Sequence, residues 1–188
     1  MDLSGVLKGK VCLIGEAAVG KTSLVRRYVE NAFDDRYIST LGSKVSLKKI
    51  WLTSKKDPGR QLEVQLSIWD LIGERSYLET LHQEYLRGAQ GIIAVCDVTR
   101  YSTFEALDEW ITRAFKVSGD VPLALVVNKI DLKDQVMVLY DENEPREKAQ
   151  RFGGFATWAS AKSGENVNPI FGRLALGIVR QIALPDAV

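Results

Sequence analysis

The sequence is poor in the residues that build disulfide frameworks and histidine-rich metal clusters. Its 188 residues include two cysteines and one histidine. Both cysteines lie in apolar runs, Cys12 in Val-Cys-Leu-Ile and Cys96 in Ile-Ile-Ala-Val-Cys, which predicts small buried thiols in a reducing compartment. The single histidine is His82, for which we expect a surface position and no catalytic role. The sequence therefore predicts no metal site built from cysteine and histidine.

The chain also lacks a charge excess, a long apolar run and the common targeting signals. The 25 basic residues are balanced by 24 acidic ones, so no global field recruits nucleic acid or an acidic membrane. The longest apolar runs are too short to span a bilayer, and Asp2 excludes the glycine required for myristoylation. The final residues, Ala-Leu-Pro-Asp-Ala-Val, contain no cysteine for prenylation. We therefore expect a cytoplasmic protein whose attachment to a membrane would need a partner or a tail that this sequence does not contain.

Apolar runs alternate with helical patterns along the chain, which is typical of a parallel sheet with crossover helices. The runs expected to form buried strands are 11–14, 92–96, 123–127 and 155–159. Residues 62–68 instead alternate apolar and polar side chains, the pattern of a half-exposed strand. We expect this strand to pair with residues 43–53 as a hairpin across the turn Ser-Lys-Lys-Asp-Pro-Gly-Arg, in which proline and glycine favour the reversal.

Two helices are predicted from the spacing of their apolar residues. One begins at Ser102, where Glu105 would complete a capping box, and the other covers residues 168–182. The sequence shows no internal repeat, linker or low-complexity segment. We therefore expect residues 1–188 to form a single α/β domain.

A phosphate-binding loop follows the first predicted strand directly. The segment Gly15-Glu16-Ala17-Ala18-Val19-Gly20-Lys21-Thr22 matches the pattern G-x-x-x-x-G-K-T. Backbone N–H groups at the start of a helix favour a phosphate, and a side chain at Gly20 would obstruct that approach. Lys21 would place its charge between the β- and γ-phosphates, and Thr22 would give its hydroxyl to Mg²⁺. The residues expected around the phosphates are Gly15, Ala18, Val19, Gly20, Lys21, Thr22 and Ser23.

An acidic residue and a glycine close the alternating strand, in Ile68-Trp69-Asp70-Leu71-Ile72-Gly73. A carboxylate such as Asp70 at a strand end can hold Mg²⁺ through water. Gly73 would let the main chain approach a γ-phosphate and report on its presence. Alone this pattern is more often a turn, but its place after a phosphate loop and a hairpin favours a nucleotide site.

A third group of motifs indicates guanine. Asn128-Lys129-Ile130-Asp131 stands where a buried strand gives way to a loop, the end of the strand at which ligands gather. The Asp131 carboxylate can accept the ring N–H and the amine of guanine, whereas adenine would leave it unpaired. Lys129 can lie along the base and Asn128 can brace the neighbouring loops. Ser160-Ala161-Lys162, after the last strand, can offer the Ala161 N–H to the guanine carbonyl.

These motifs resemble the five ordered nucleotide-binding motifs of Ras-type GTPases, and the chain is most similar to the Rab branch. The matching positions are 15–22, Thr40, 70–73, 128–131 and 160–162. The resemblance implies a P-loop fold with a six-stranded sheet, mostly parallel with one antiparallel strand, flanked by about five helices. It also implies GTP or GDP and Mg²⁺ as ligands, and a switch whose two mobile segments release their partners after hydrolysis.

The resemblance assigns further roles residue by residue. Tyr37-Ile38-Ser39-Thr40-Leu41-Gly42 is similar to the first switch of Rab proteins, with Tyr37 beside the nucleotide and Thr40 as a Mg²⁺ ligand only when GTP is bound. Phe33 matches the aromatic residue that packs against the base. The metal ligands implied are Thr22, Thr40 and Asp70, and the catalytic residues implied are Lys21, Thr40, Gly73 and Glu74.

The same resemblance places effectors, exchange factors and GTPase-activating proteins on the switch surface. Trp69 and Tyr77 match two of the three aromatic positions that Rab proteins present to effectors, and the third position holds Val45. The aliphatic residue at that position leaves the identity of the effector open.

Three departures from the family pattern concern hydrolysis. Glu74 stands where the family carries a glutamine that orients water, so its charge could repel the triphosphate or, with a raised pKa, act as a base. The methyl group of Ala17 narrows the space that an arginine finger uses, and Ile72 replaces a small alanine beside Gly73. Slow or unconventional hydrolysis is the hypothesis that follows.

The sequence leaves two functions open. The first is a switch that hydrolyses GTP and binds effectors in the GTP state, in membrane traffic or another part of cell organisation. The alternative is a GTP-binding interaction module with little or no hydrolysis, motivated by Glu74 and Ala17. Asp131 and the absence of a substrate-binding lid disfavour a metabolic kinase or an ATPase.

Overall fold

A computed structural model of the protein describes residues 6–34, 42–53, 61–73, 81–135, 141 and 143–182. The strands are β1 Leu7–Ile14, β2 Ser43–Thr53, β3 Gln61–Leu71, β4 Gly91–Asp97, β5 Leu123–Asn128 and β6 Phe155–Trp158. The helices are α1 Lys21–Glu30, α2 Leu81–Leu86, α3 Tyr101–Glu105, α4 Leu107–Ser118, α5 Glu144–Arg151 and α6 Val167–Ile182, with a 3₁₀ helix at Ile130–Gln135. The predicted hairpin turn at 54–60 lies outside the described residues.

The described strands form one sheet of six, in the order β2-β3-β1-β4-β5-β6. β2 runs antiparallel to β3, and the other neighbouring pairs are parallel. This confirms the predicted sheet and the pairing of residues 43–53 with the strand that follows them. Because β1, β4 and β5 are parallel neighbours, their carboxyl ends meet at one edge, and the loops that follow them lie side by side.

Helices cover both faces of the sheet, which is why β4 and β5 are buried along their length. On one face α1 and α6 pack together, and the rings of Tyr28 and Phe171 stack with centroids 3.9 Å apart and planes at 4°. On the other face α4 buries Trp110 and Ile111. These two apolar clusters fix the strand ends at which the site lies.

The described part of the chain has six α-helices, and α3 and α4 are separated only by Ala106. Counted as one element, they correspond to the single helix predicted from residue 102, and the total becomes the expected five. The predicted capping box is wrong, because α3 begins at Tyr101 without a side-chain cap. Thr103 organises this turn instead: its hydroxyl accepts the Asp97 N–H at 2.9 Å and donates to the Arg100 carbonyl at 2.7 Å. Among the described helices, none has the length and apolar character needed to cross a bilayer.

Candidate nucleotide-binding site

The predicted phosphate loop connects the buried end of β1 to the first residue of α1. Gly20 has a φ of 97°, and a Cβ added there would lie 2.3 Å from Nδ2 of Asn128. The Asn128 side chain of the base-binding loop therefore leaves no room for a side chain at position 20. Packing within the protein requires glycine here, in addition to the expected approach of a phosphate. Val19 is fully buried, Ser23 is half-buried in the first turn of α1, and Ala18 is exposed.

Lys21 lies inside this loop and is 6% exposed. Its Nζ donates to the carbonyl oxygens of Gly15 at 2.7 Å and Glu16 at 2.8 Å. Burial lowers the pKa of Lys21 to about 8, although the nearby Asp70 carboxylate favours the charged form. A cation buried in this way is stabilised by an anionic ligand, as the predicted role of Lys21 at the phosphates requires.

Thr22 and Asp70 form the predicted metal pair. The Thr22 hydroxyl donates to Asp70 Oδ2 at 2.5 Å, which brings the start of α1 to the end of β3. Asp70 is 1% exposed, and its Oδ1 has no hydrogen-bond partner among the described residues. Burial raises the pKa of Asp70 above its ordinary value, against the opposing effects of Thr22 and Lys21.

This pair fits a magnesium ion. A buried carboxylate with a spare oxygen, next to a hydroxyl oxygen, offers the hard ligands that Mg²⁺ takes together with substrate phosphates. When bound, the ion would neutralise negative charge that develops on the phosphates. Thr40, the third predicted ligand, lies outside the described residues, as do Tyr37 and Glu74.

Gly73 lies directly against the phosphate loop. A Cβ added at Gly73 would lie 2.5 Å from Lys21 Nζ, 2.5 Å from the Glu16 carbonyl carbon and 2.6 Å from the Ala17 nitrogen. Only glycine permits this approach. The preceding residue, Ile72, is buried and donates its N–H to the Gly42 carbonyl at 3.0 Å, so the segments that precede β2 and follow β3 are linked.

The predicted base-binding residues come together at the carboxyl end of β5. Asn128 is buried; its Nδ2 donates to the Val19 carbonyl at 2.9 Å, and its Oδ1 accepts the Ala161 N–H at 3.2 Å. The Ser160 hydroxyl donates to Asp131 Oδ1 at 2.6 Å. Asn128 thus connects the phosphate loop to residues 160–162, and Ser160 fixes the position of the Asp131 carboxylate.

Lys129 adopts the left-handed conformation with a φ of 67°, and its Nζ lies 2.5 Å from Asp97 Oδ2. Asp97 is 1% exposed at the end of β4. Burial alone would raise the pKa of Asp97, but hydrogen bonds from Lys129 and Thr99 outweigh it and hold the pKa below its ordinary value. A charged Asp97 therefore fixes the Lys129 side chain beside the expected base position.

Three residues at the site were missed by the sequence motifs: Asp97, Arg100 and Arg27. Arg100 contacts both Asp97 and the phosphate loop. Arg27, on α1, donates to the carbonyl of Ala161 at 2.8 Å and to that of Lys162 at 2.6 Å, and so holds the last predicted base-binding loop. The only sequence signal for Asp97 is its place at the carboxyl end of a buried central strand.

The remaining predicted residues that the structure describes lie just after α1 and on strands β2 and β3. Phe33 is half-buried and packs against the apolar cluster beneath α1 and α6. Val45 is 46% exposed and pairs across β2 and β3 with Trp69, which is half-buried with Lys10 Nζ 4.3 Å from its ring centroid. Tyr77 lies outside the described residues.

Comparison with known proteins agrees with this geometry. The profile of the Ras family matches residues 10–180. The chain is 38% identical over 174 residues to Ras-related protein Rab-21 of Geodia cydonium, covering 92% of this chain and 72% of the relative. It is 35% identical over 180 residues to Ras-related protein Rab-10 of Diplobatis ommata, with 94% and 84% covered, and 34% identical over 166 residues to Ras-related protein Rab-3A of Homo sapiens, with 88% and 71% covered. The chain belongs to the Ras family and is a Rab-like small GTPase.

Proposed function

We propose that the protein is a guanine-nucleotide switch that binds GTP with Mg²⁺, hydrolyses it to GDP and phosphate, and binds effector proteins in the GTP state. The approach of Gly73 to Lys21 and the phosphate loop carries this proposal. We expect the outermost phosphate of GTP to meet the main chain that follows β3 at this point of the loop. Loss of that phosphate on hydrolysis removes a partner of the Gly73 N–H, so the segment responds to the nucleotide state.

The residues present divide the work of binding. Lys21 and the loop amides hold the phosphates, Thr22 and Asp70 offer oxygen ligands, and the Asp131 carboxylate selects guanine. The hydrogen bond from Ile72 to Gly42 joins the segment after β3 to the segment before β2. A change at Gly73 therefore reaches both sides of the hairpin, as a switch with two coupled segments requires.

Guanine selection is tested by competition between GTP and ATP for the purified chain, with Asp131→Ala beside wild type. We expect wild type to prefer GTP by several orders of magnitude and Asp131→Ala to lose most of that preference, because the carboxylate that accepts hydrogen bonds from guanine is gone. Asp134→Ala, an exposed carboxylate in the same 3₁₀ helix, is the matched control. Equal affinity of wild type for ATP and GTP would contradict the proposal.

The alternative function, a GTP-binding interaction module, differs from the proposed switch in the hydrolysis of GTP. Glu74 in place of glutamine and the methyl group of Ala17 favour a slow reaction, and in the limit a GTP-binding interaction module without turnover. Single-turnover conversion of bound GTP to GDP separates the two functions. Conversion no faster than the decay of free GTP would favour the module.

The effector surface that we propose is the outer face of β2 with its neighbour on β3. Val45, Leu47 and Trp51 lie on one face of β2 because side chains two residues apart point the same way, and they are 46%, 71% and 57% exposed. Trp69 is the cross-strand neighbour of Val45. Large exposed apolar side chains beside a nucleotide-dependent segment are typical of protein-binding surfaces. The Rab-like relatives favour membrane traffic as the setting, with peripheral association with a membrane.

A further inference from the structure

The phosphate loop carries a backbone conformation that its sequence does not favour. Ala18 has a φ of 61°, in the left-handed region where the Cβ of an L residue approaches the carbonyl oxygen that follows. Glycine occupies this region without strain. Ala18 is exposed, so its own side chain has no packing that would hold the conformation. Contacts to the neighbouring main chain must therefore stabilise it.

Arg100 supplies such a contact. Its Nη2 donates to the carbonyl oxygen of Ala17 at 2.9 Å. That oxygen belongs to the peptide group that joins Ala17 to Ala18. The oxygen and the N–H of a trans peptide point in opposite directions, so holding the oxygen also fixes the direction of the Ala18 N–H, one of the loop amides.

Arg100 is itself held by a buried carboxylate. Its Nε donates to Asp97 Oδ2 at 3.2 Å, and the same oxygen accepts from Lys129 Nζ at 2.5 Å. The other oxygen, Oδ1, accepts from the Thr99 N–H at 3.0 Å and from the Thr99 hydroxyl at 2.7 Å. The Arg100 side chain is 40% exposed, whereas the Asp97 side chain is 1% exposed. The buried carboxylate therefore fixes the position of the partly exposed arginine.

We propose that Arg100 is a positioning residue that holds the strained phosphate loop in its binding conformation and, through Asp97, couples that loop to the base-binding Lys129. The inference rests on the proposed function, since it concerns how the same site retains a guanine nucleotide. Because Arg100 contacts the main chain of the loop, whose amides would bind phosphates that GDP and GTP share, we expect it to affect GDP and GTP alike.

The test measures release of fluorescently labelled GDP from the full chain with Mg²⁺ present, after excess unlabelled GDP is added. We expect Arg100→Ala to speed release by about tenfold, the factor for loss of one charge-assisted hydrogen bond to a partly exposed group. Arg100→Lys keeps the charge but cannot bridge Asp97 and Ala17 at once, so its release should stay about threefold faster than that of wild type. Arg151→Ala, which removes an exposed ion pair on α5, is the matched control and should leave release unchanged.

Ala18→Gly shows whether Arg100 acts by holding the strained loop. If Arg100 only stabilised the fold, the acceleration of release caused by Arg100→Ala would be the same with and without Ala18→Gly. In this background the loop conformation is unstrained, so adding Arg100→Ala should speed release by less than about threefold. Labelled GTP should show the same factors as GDP. Thermal unfolding of each variant establishes that it is folded. If Arg100→Ala does not fold, the comparison is made with Arg100→Lys, which retains the ion pair to Asp97.

Several results would overturn the inference. Release from Arg100→Ala at the wild-type rate, or an equal acceleration with and without Ala18→Gly, would show that Arg100 does not hold the loop. Unchanged release with slower hydrolysis would place the action of Arg100 on the γ-phosphate instead. A wild-type chain that retains no labelled GDP would refute the proposed function itself, whereas retention by wild type with unchanged release from Arg100→Ala refutes the positioning role alone.

Discussion

Substitution of Gly20 by alanine tests whether the phosphate loop and the base-binding loop form one packed unit. A Cβ at Gly20 would lie 2.3 Å from Asn128 Nδ2, so the amide must move. Moving it sacrifices the hydrogen bond to the Val19 carbonyl and the one from the Ala161 N–H. Two such bonds contribute about 1 kcal/mol each, and the left-handed φ of 97° adds about 1–2 kcal/mol of strain. We expect Gly20→Ala to lower the free energy of unfolding by about 3–4 kcal/mol.

The double variant isolates the contact. With Asn128→Ala in place, the collision is gone and Gly20→Ala should cost only the strain, about 1–2 kcal/mol. Gly88→Ala is the matched control for strain, because Gly88 has a φ of 72° and no atom lies within 4 Å of an added Cβ. Its expected cost is likewise about 1–2 kcal/mol.

The assay is equilibrium unfolding of the nucleotide-free chain in urea, followed by tryptophan fluorescence, so that changes in nucleotide affinity do not enter the measured stability. The effects of Gly20→Ala and Asn128→Ala on the free energy of unfolding should be coupled by about 2 kcal/mol. Effects that add to within about 0.5 kcal/mol would refute the proposed packing of Asn128 on Gly20.

Three further predictions concern the metal pair, the thiols and hydrolysis. Asp70→Asn should abolish the acceleration of GDP release that chelation of Mg²⁺ causes in wild type; a variant that still responds to chelator would contradict the assignment of Asp70. Burial raises the pKa of Cys12 to about 12, and Cys96 is also buried, so neither thiol should react with a disulfide reagent at pH 8 until urea unfolds the chain. Fast reaction of native protein would show an open core. Glu74→Gln should raise the single-turnover rate by about tenfold or more. Ile72→Ala, tested on folded protein, should also change the single-turnover rate. An unchanged rate in both variants would contradict the hypothesis of unconventional hydrolysis.

β4 and β5 were predictable because burial on both faces leaves continuous apolar runs in the sequence. β5 extends one residue beyond the predicted 123–127, and β2 matches its prediction in full. β1 instead begins at Leu7, four residues before the predicted run. Its first half includes Lys8 and Lys10, and it is a strand because the backbone pairs with β3, with Leu7 opposite Val64. Such pairing depends on a partner distant in sequence and leaves no local pattern.

The candidate site was predictable where one short segment supplies the chemistry. The loop that ends in Lys21 and the segment that contains Asn128 are local motifs whose residues the fold brings together. The contacts from Arg100 to Ala17 and from Arg27 to Ala161 join residues 83 and 134 positions apart, so they exist only once the strand order is set. The roles assigned to the site residues, and the expectation of a single domain, stay predictions.

The most direct test of the switch is single-turnover hydrolysis. The chain is loaded with GTP and Mg²⁺, free nucleotide is removed, and conversion to GDP is followed by chromatography over hours. We expect conversion faster than the decay of free GTP, and a further increase with Glu74→Gln. Bound GTP that persists unchanged in wild type and in Glu74→Gln would contradict a self-timed switch and favour a GTP-binding interaction module.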